Sequence, residues 1–140
     1  MSALLLLLVF TGWSQGSVKN EGVRFRLERI LVQADSFYID LSLKNSSLIG
    51  YKPAFIKLFI RDRHIAKRTA VQEKEIIPVF ATRLLEVSAD SMQNIALILP
   101  VFTIAKNKEL VFEIVERNGV RTMQLHIKGH RLLKIVRKKN

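Results

Sequence analysis

A two-residue alternation of apolar and polar side chains constrains the fold of this chain more than any other feature. Every second residue from 23 to 27 is apolar, and so is every second residue from 37 to 43. Successive side chains of an extended strand point to opposite faces, so this pattern predicts strands with one buried and one solvated face. Residues 33–36 join the two runs, which predicts neighbouring antiparallel strands. Asn45-Ser46-Ser47 ends the second strand with turn residues.

Five later segments have strand character. Pro78 interrupts one of them and confines it to a sheet edge or a bulge, because proline cannot donate to a strand ladder. Asn118-Gly119 separates the last two and predicts a hairpin, since both residues accept a positive φ. The five segments are residues 54–62, 75–81, 95–99, 110–116 and 120–127.

Residues 82–93 are the most helix-like part of the chain, and residues 132–136 interleave apolar and basic side chains in a way that could add a last strand. The whole pattern predicts an all-β fold. Specifically, it predicts an antiparallel β-sandwich, Ig-like, of about seven strands with at most one short helix.

The first 18 residues carry no charged side chain and form a separate segment. The apolar run of residues 4–10 is too short to span a bilayer but matches the core of a secretory signal. Small polar residues follow it, as a cleavage region requires, although no lysine or arginine precedes it. We therefore expect a signal-like segment at 1–18 and a single domain at 19–140. The location would be periplasmic or outer-membrane associated if the signal works, and cytoplasmic otherwise.

Enzymatic chemistry has no visible basis in this sequence. The chain has no cysteine, which excludes disulfides, thiol catalysis and cysteine-ligated metal centres. His126 and His130 are four residues apart, but Gly129 intervenes and His126 ends a predicted strand, so they do not share a helix face. No phosphate-binding glycine loop or nucleophile elbow is present. We expect no enzyme activity, no cofactor, no metal and no small-molecule substrate.

Two basic clusters account for most of the net charge of +11. One lies between Lys57 and Lys74. The other is the C-terminal basic tail, which contains no acidic residue and consists of Lys128, Arg131, Lys134, Arg137, Lys138 and Lys139. Such clusters could neutralise phosphates, attract an acidic partner or lie near anionic lipid. Direct DNA binding is not expected, because the tail lacks aromatic residues for stacking. A small basic nucleic-acid-binding β domain is kept as the alternative.

The central part of the chain resembles a known family. Ile60-Arg61-Asp62 is followed by the segment Ala66-Lys67-Arg68-Thr69-Ala70-Val71-Gln72-Glu73, and a turn containing Asn45, Ser47 and Tyr51 precedes both. This arrangement is similar to the TraN family of Bacteroides-type conjugative transposons. The likeness extends from about residue 23 to the C-terminus and corresponds to the family's C-terminal domain. Family members carry a further N-terminal β-domain.

The resemblance implies a structural role in conjugative DNA transfer. It implies a β-sandwich subunit in the outer-membrane or periplasmic core of a type IV secretion apparatus, with other core subunits as partners in a ring. From its residues alone, one dense polar string is either a solvated loop with local ion pairs or a docking surface. The resemblance favours the docking surface, with Arg61 or Arg68 as anchors for carboxylates of a neighbour. We call this string the charged block; it consists of Arg61, Asp62, Lys67, Arg68, Thr69, Gln72 and Glu73.

Overall fold

The computed structural model describes residues 16–63 and 72–139, with side chains described through Val136. In these residues the chain forms nine strands and one helix. The strands are β1 (Ser17–Asn20), β2 (Val23–Gln33), β3 (Ser36–Asn45), β4 (Pro53–Asp62), β5 (Lys74–Ile76), β6 (Phe80–Ala81), β7 (Ser91–Pro100), β8 (Lys108–Glu116) and β9 (Met123–Lys128). The helix is α1 (Gly129–Lys139).

The strands form two antiparallel sheets that share one core. One sheet has the order β1-β2-β3-β7-β6 and the other has the order β5-β4-β8-β9. Buried side chains from both sheets, such as Phe25 and Phe112, belong to a single apolar cluster. The predicted antiparallel β-sandwich is therefore confirmed, although the described residues contain nine strands where about seven were expected from the sequence pattern.

The alternation that predicts the strands also decides which side chains enter the core. Val23, Phe25 and Leu27 of β2 are buried, and the charged residues between them face outward. The pairing of β2 with β3 shifts between Leu27 and Arg29, which marks a β-bulge. Because of the extra residue, the side chains that face the core after the bulge are those of Ile30 and Val32, at even-numbered positions. Both halves of this long strand therefore contribute to one core.

Two hairpin connections have backbone conformations that few residues accept. The pairing of β8 with β9 confirms the hairpin predicted at Asn118-Gly119, but the connection spans residues 117–122, and of the two predicted turn residues Asn118 alone has a positive φ, of 56°. Glu21 and Gly22 join β1 to β2 with φ values of 45° and 82°, as a two-residue hairpin with two positive φ angles requires. A side chain at Gly22 would also collide with Ser47, so glycine is needed here for space as well as for conformation.

Residues 82–93 are not helical, which corrects the expectation from their composition. Residues 82–86 have no regular secondary structure, and β7 already begins at Ser91. The reason is an interaction with β7: Thr82 donates its N–H to the carbonyl of Ala96 at 2.9 Å. The Gln93 side chain adds hydrogen bonds to the backbone of Arg83 and Leu85. These contacts satisfy backbone groups that a helix would otherwise have to pair internally.

The tail forms helix α1 instead of a last strand, which corrects the second local expectation. Leu132 and Ile135 are three residues apart, so they lie on one helix face, and both are buried in the core cluster. Gly129 starts the helix against the carbonyl oxygens of Ala105 and Lys108, where a Cβ would collide. Across residues 16–63 and 72–139, no helix has both the length and the apolar character needed to cross a membrane.

The packing of α1 can be tested by truncating its inward face. We expect Leu132→Ala to lower the free energy of unfolding by about 2–5 kcal/mol, because it leaves a cavity at a side chain that is 1% exposed. The control Lys134→Ala removes an exposed side chain of the same helix and should change stability by less than about 0.5 kcal/mol. Urea denaturation measures both variants, and equal losses would contradict the position of α1.

Candidate protein-docking site

The charged block is divided between a strand end and the approach to the next strand. Arg61 and Asp62 are the last two residues of β4. Gln72 and Glu73 are exposed and directly precede β5, which pairs with the same end of β4. The structure therefore brings both ends of the block to one edge of the four-stranded sheet. Lys67, Arg68 and Thr69 lie outside the described residues.

Arg61 lies in a small polar cluster on the outer face of this sheet. Its Nε donates to Oε2 of Glu109 at 3.0 Å, and Nδ1 of His126 lies 3.0 Å from the same oxygen. Burial alone would raise the pKa of Glu109, but hydrogen bonds from Arg61 and His126 outweigh it and the pKa is lowered. Arg61, proposed above as an anchor for a partner's carboxylate, thus has a carboxylate partner in its own chain.

Phe59 provides an apolar centre for the same outer face. Its side chain is only 2% exposed but does not belong to the core cluster. The Lys57 ammonium lies 4.9 Å from the ring centroid on one side, and the Arg61 guanidinium carbon lies 5.8 Å away. Lys57 also pairs with Glu73 at 3.4 Å, so the end of the charged block is tied to β4. Exposed pairs of this kind contribute little stability but define position.

The basic tail continues from β9 into α1. Lys128 ends β9, and Arg131 and Lys134 lie on the helix, while the side chains of the last three cations, Arg137, Lys138 and Lys139, are outside the described set. Lys128 and Lys134 are exposed. Because Leu132 and Ile135 point into the core, the described cations line the surface around the helix and not its packed face.

A third group of polar residues is buried where the two sheets meet, and the sequence analysis missed its centre. Arg121 is 6% exposed and lies between β8 and β9. It donates to Oε2 of Glu116 through Nη2 at 2.7 Å and to Oε1 of Glu116 through Nε at 3.2 Å. Hydrogen bonds from Arg121 lower the pKa of Glu116, which keeps the carboxylate charged.

The same guanidinium reaches the loop that follows β3. Nη2 of Arg121 donates to the carbonyl of Gly50 at 2.9 Å, and Nη1 donates to the hydroxyl of Ser47 at 3.0 Å. Asn45, which is fully buried, donates to the carbonyls of Ile49 and Val87 at 2.8 and 2.9 Å. The Asn45 amide oxygen accepts from the Ser47 N–H at 2.9 Å. Strand β3 thus ends in the turn expected from Asn45-Ser46-Ser47, with its backbone satisfied by side chains.

Tyr51 completes this buried network. Its hydroxyl donates to the carbonyl of Arg121 at 2.9 Å, and the Arg121 guanidinium lies 5.3 Å from the ring centroid. The Tyr51 backbone pairs with Val87 in both directions, which links the two sheets outside the regular strands. Burial raises the pKa of Tyr51 well above its ordinary value, so the hydroxyl stays protonated and can donate.

The buried polar groups of this network form hydrogen bonds with one another. Asn45, Ser47 and Tyr51, which the sequence analysis had grouped as one turn, are joined by Glu116 and Arg121 from a distant hairpin. The sequence contains one indication that Arg121 is buried. It lies two residues before Met123, in the same alternation as the inward-facing Met123, Leu125 and Ile127. In the described part of the chain, no three metal-ligating side chains converge.

The buried ion pair provides the first test of this network. We expect Arg121→Met to lower the free energy of unfolding by about 3–5 kcal/mol, because Glu116 is left as an unpaired carboxylate in a site that is 10% exposed. Arg117→Met, at an exposed position of the same hairpin, should change stability by less than about 0.5 kcal/mol. Chemical denaturation distinguishes the two, and a mild effect at Arg121 would show that the network is dispensable.

The pH dependence of stability provides the second test. The pKa of Glu116 is below its ordinary value of 4.5 in the folded chain, so its contribution to stability is complete above that value. The contribution is lost as the pH falls through the lowered folded pKa. Urea unfolding between about pH 6 and pH 3 should therefore show a steep loss in the wild type and a shallower loss in Glu116→Gln. Glu75→Gln, at an exposed position, should retain the wild-type slope.

Comparison with solved structures finds matches at low sequence identity. Spo0M, a sporulation control protein from Bacillus subtilis, superposes with a TM-score of 0.48 and 12% identity over 87% of this chain. This chain covers 56% of Spo0M. FlaG, the archaellum periplasmic stator protein from Sulfolobus acidocaldarius, gives a TM-score of 0.45 and 11% identity over 75% of this chain and 99% of FlaG. No match was found among curated proteins.

A protein-family model matches nearly the whole described fold. The match runs from residue 14 to residue 137, so it includes every strand and most of α1. It contains the charged block, the buried network and the start of the basic tail. This chain is a member of the family described as a domain of unknown function, DUF4138.

Proposed function

We propose that this chain is a non-enzymatic assembly subunit of a conjugative transfer apparatus, related to the TraN family and placed on the periplasmic or outer-membrane side of the envelope. DUF4138 domains are common in conjugative transposon proteins, which supports the proposal. The proposed role is mechanical: a rigid β-sandwich presents a sheet edge to neighbouring subunits of a secretion-type assembly. The partners would be other core subunits in a ring.

The observation that carries the proposal is an exposed apolar edge. Ile77, Val79 and Phe80 form this apolar edge, and they are 68%, 71% and 51% exposed. Ile77 and Val79 lie in the connection between β5 and β6, which are edge strands of the two sheets, and Phe80 is the first residue of β6. Pro78 lies in the same connection, at the sheet edge that the sequence predicts for it. Adjacent exposed apolar side chains of this size are typical of surfaces that bind another protein. The apolar edge therefore has the character of a docking site.

The neighbouring strand offers backbone groups for the same purpose. Strand β5 pairs only with Leu58, Phe59 and Ile60 of β4, although β4 is ten residues long. Within the described residues, the Ala54–Lys57 part of β4 has no partner strand on that side, and Phe55 is 50% exposed there. Free N–H and C=O groups at a sheet edge can accept an added strand from a partner.

Charged residues surround this edge. Gln72 and Glu73 of the charged block directly precede β5, and the Lys57–Glu73 pair lies at the same side of the sheet. An apolar centre with a polar rim is the usual anatomy of a protein interface, in which the centre contributes affinity and the rim contributes orientation. Arg61 and Asp62 form ion pairs with Glu109 and Lys108 of their own chain. In this arrangement these pairs fix the position of the rim and do not contact a partner.

The proposal is tested by placing charge on the apolar edge. We expect the double variant Ile77→Asp/Val79→Asp to reduce recovery of partner subunits from envelope fractions by at least about tenfold, because buried apolar contacts would be lost. Mating assays should show a parallel loss of transfer. The measurement is affinity purification of the tagged chain from cells that carry the complete transfer system.

A matched double variant controls for general effects of added charge. Leu85→Asp/Met92→Asp changes two apolar residues that are 55% and 60% exposed away from β5 and should leave recovery near the wild-type level. Two results would contradict the proposal. One is that the wild-type chain recovers no other transfer protein, and the other is that both double variants behave alike.

A further inference from the structure

We propose that one end of the sandwich docks on an anionic membrane surface. In this proposal the apolar tip, formed by Leu48, Ile49 and Val120, enters the headgroup region. The basic row, formed by Lys19, Arg24 and Lys44, contacts the lipid phosphates. This surface is separate from the apolar edge, so the inference does not depend on the proposed assembly function.

The apolar tip consists of aliphatic side chains with very little contact to their own protein. Leu48 is 94% exposed, Val120 is 84% exposed and Ile49 is 71% exposed. They extend from two loops, residues 46–50 and residues 117–122. Exposing three large aliphatic side chains together in water is unfavourable and indicates a surface that is covered in use.

The two loops of the apolar tip are held together from below. Arg121 lies in one loop and donates to Ser47 and to the carbonyl of Gly50 in the other. Asn45 anchors the first loop through the carbonyl of Ile49. The tip is thus pre-organised by a buried network, and binding would not have to order two separate loops.

The basic row is a line of like charges on neighbouring strands. Lys19 of β1 pairs in register with Arg24 of β2, and Arg24 pairs with Lys44 of β3. All three are exposed, and within the described residues no carboxylate forms an ion pair with them. Like charges directly opposite each other in a sheet are destabilising. An anionic ligand over this face would remove that repulsion.

The row and the tip lie at the same end of the molecule. Lys19 and Arg24 flank the β1–β2 hairpin, and Lys44 is the residue before Asn45. Two hydrogen bonds tie this hairpin to the tip loops: Ser46 donates its N–H to Gly22, and Asn20 donates to the carbonyl of Thr122 at 3.2 Å. The apolar tip is therefore bordered by the cationic face.

Other exposed charges at this end leave it cationic. Lys52 and Arg117 add to the three residues of the basic row. The exposed carboxylates nearby are Glu21, Glu86 and Asp90. Five cations thus face three carboxylates, while Glu116 and Arg121 neutralise each other. Cations near an anionic leaflet each contribute to binding, and inserted aliphatic groups add affinity that salt does not screen.

A lipid surface fits these residues better than a protein or a nucleic acid. Energetically dominant residues of protein interfaces are enriched in aromatic side chains and arginine; the apolar edge includes Phe80, whereas the apolar tip has aliphatic side chains alone. Single-stranded nucleic acid is bound through aromatic stacking, and neither the tip nor the row contains an aromatic side chain. Aliphatic tips bordered by lysine and arginine suit a boundary between hydrocarbon and phosphate.

Vesicle binding of the full chain tests the proposal. The probes are phosphatidylcholine vesicles with and without about 30 mol% phosphatidylglycerol, measured by co-sedimentation at physiological salt. Binding to pure phosphatidylcholine reports apolar contributions, from the apolar run at residues 4–10 and from the apolar tip. The anionic preference reports the cations, and comparison of the row variant with its control isolates the basic row. We expect Lys19→Gln/Arg24→Gln/Lys44→Gln to bind anionic vesicles about 100-fold less tightly. The control Arg83→Gln/Lys106→Gln/Lys134→Gln removes the same charge from scattered exposed sites and should lose less than about tenfold.

Two further readouts separate a binding role from a structural one. The row variant should have an unchanged or slightly higher Tm, because it removes like-charge repulsion. Leu48→Ser/Val120→Ser should weaken anionic-vesicle binding at least about tenfold, since both side chains lose apolar contact with lipid. The apolar-edge variant Ile77→Asp/Val79→Asp should still bind vesicles, which distinguishes failure here from failure of the assembly function.

Three outcomes would overturn the proposal. One is equal binding to anionic and zwitterionic vesicles by the wild type. Another is an equal loss in the row variant and its control. The third is row-dependent retention on a single-stranded oligonucleotide without row-dependent vesicle binding, which would assign the face to nucleic acid.

Discussion

The buried pair of Arg121 and Glu116 is the interaction on which the junction of the two sheets depends. A charge pair in a site that is 7–10% exposed is stable only when its remaining hydrogen-bonding groups are satisfied. Here the Ser47 hydroxyl and the Gly50 carbonyl accept hydrogen bonds from the guanidinium. The Tyr51 hydroxyl donates to the backbone carbonyl of Arg121. The loop after β3 belongs to one sheet and the β8–β9 hairpin belongs to the other, so satisfying one arginine joins the two sheets.

This network also explains how exposed apolar residues can be held on loops. Leu48, Ile49 and Val120 have little packing of their own, yet the carbonyl of Ile49 accepts hydrogen bonds from Asn45 and Arg121, and that of Val120 accepts one from Asn20. At the opposite side, short strands β5 and β6 close the sheet edges around Pro78 and leave Phe80 half exposed. The molecule thus has a packed interior and two distinct exposed apolar surfaces.

Several features could be predicted because they depend on neighbours in the sequence. The inward residues of β2 and β3 follow a period of two, the turn at Asn118 follows from its tolerance of positive φ, and the edge position of Pro78 follows from its missing N–H. The helix was misplaced for a related reason. Over five residues such as 132–136, periods of two and 3.6 are hard to distinguish, and only the packing of Leu132 and Ile135 decides between them.

The candidate sites were less predictable because their parts are far apart in the chain. The basic clusters seen along the sequence were the segment near Lys57 and the C-terminal tail, whereas the row of Lys19, Arg24 and Lys44 exists only through strand pairing. Glu109 and His126 reach Arg61 in the same way, through the register of β4, β8 and β9.

The sequence by itself determined the fold class, the inward and outward faces of most strands and the absence of cysteine chemistry, because these depend on local pattern and composition. The tertiary structure decided which charges meet, which helix forms and which loops share a surface. Asn20 and Thr122 are 102 residues apart and hydrogen-bonded, and no local pattern determines a contact over that separation. Pairing register and core packing are collective properties, set by the burial of all strands together.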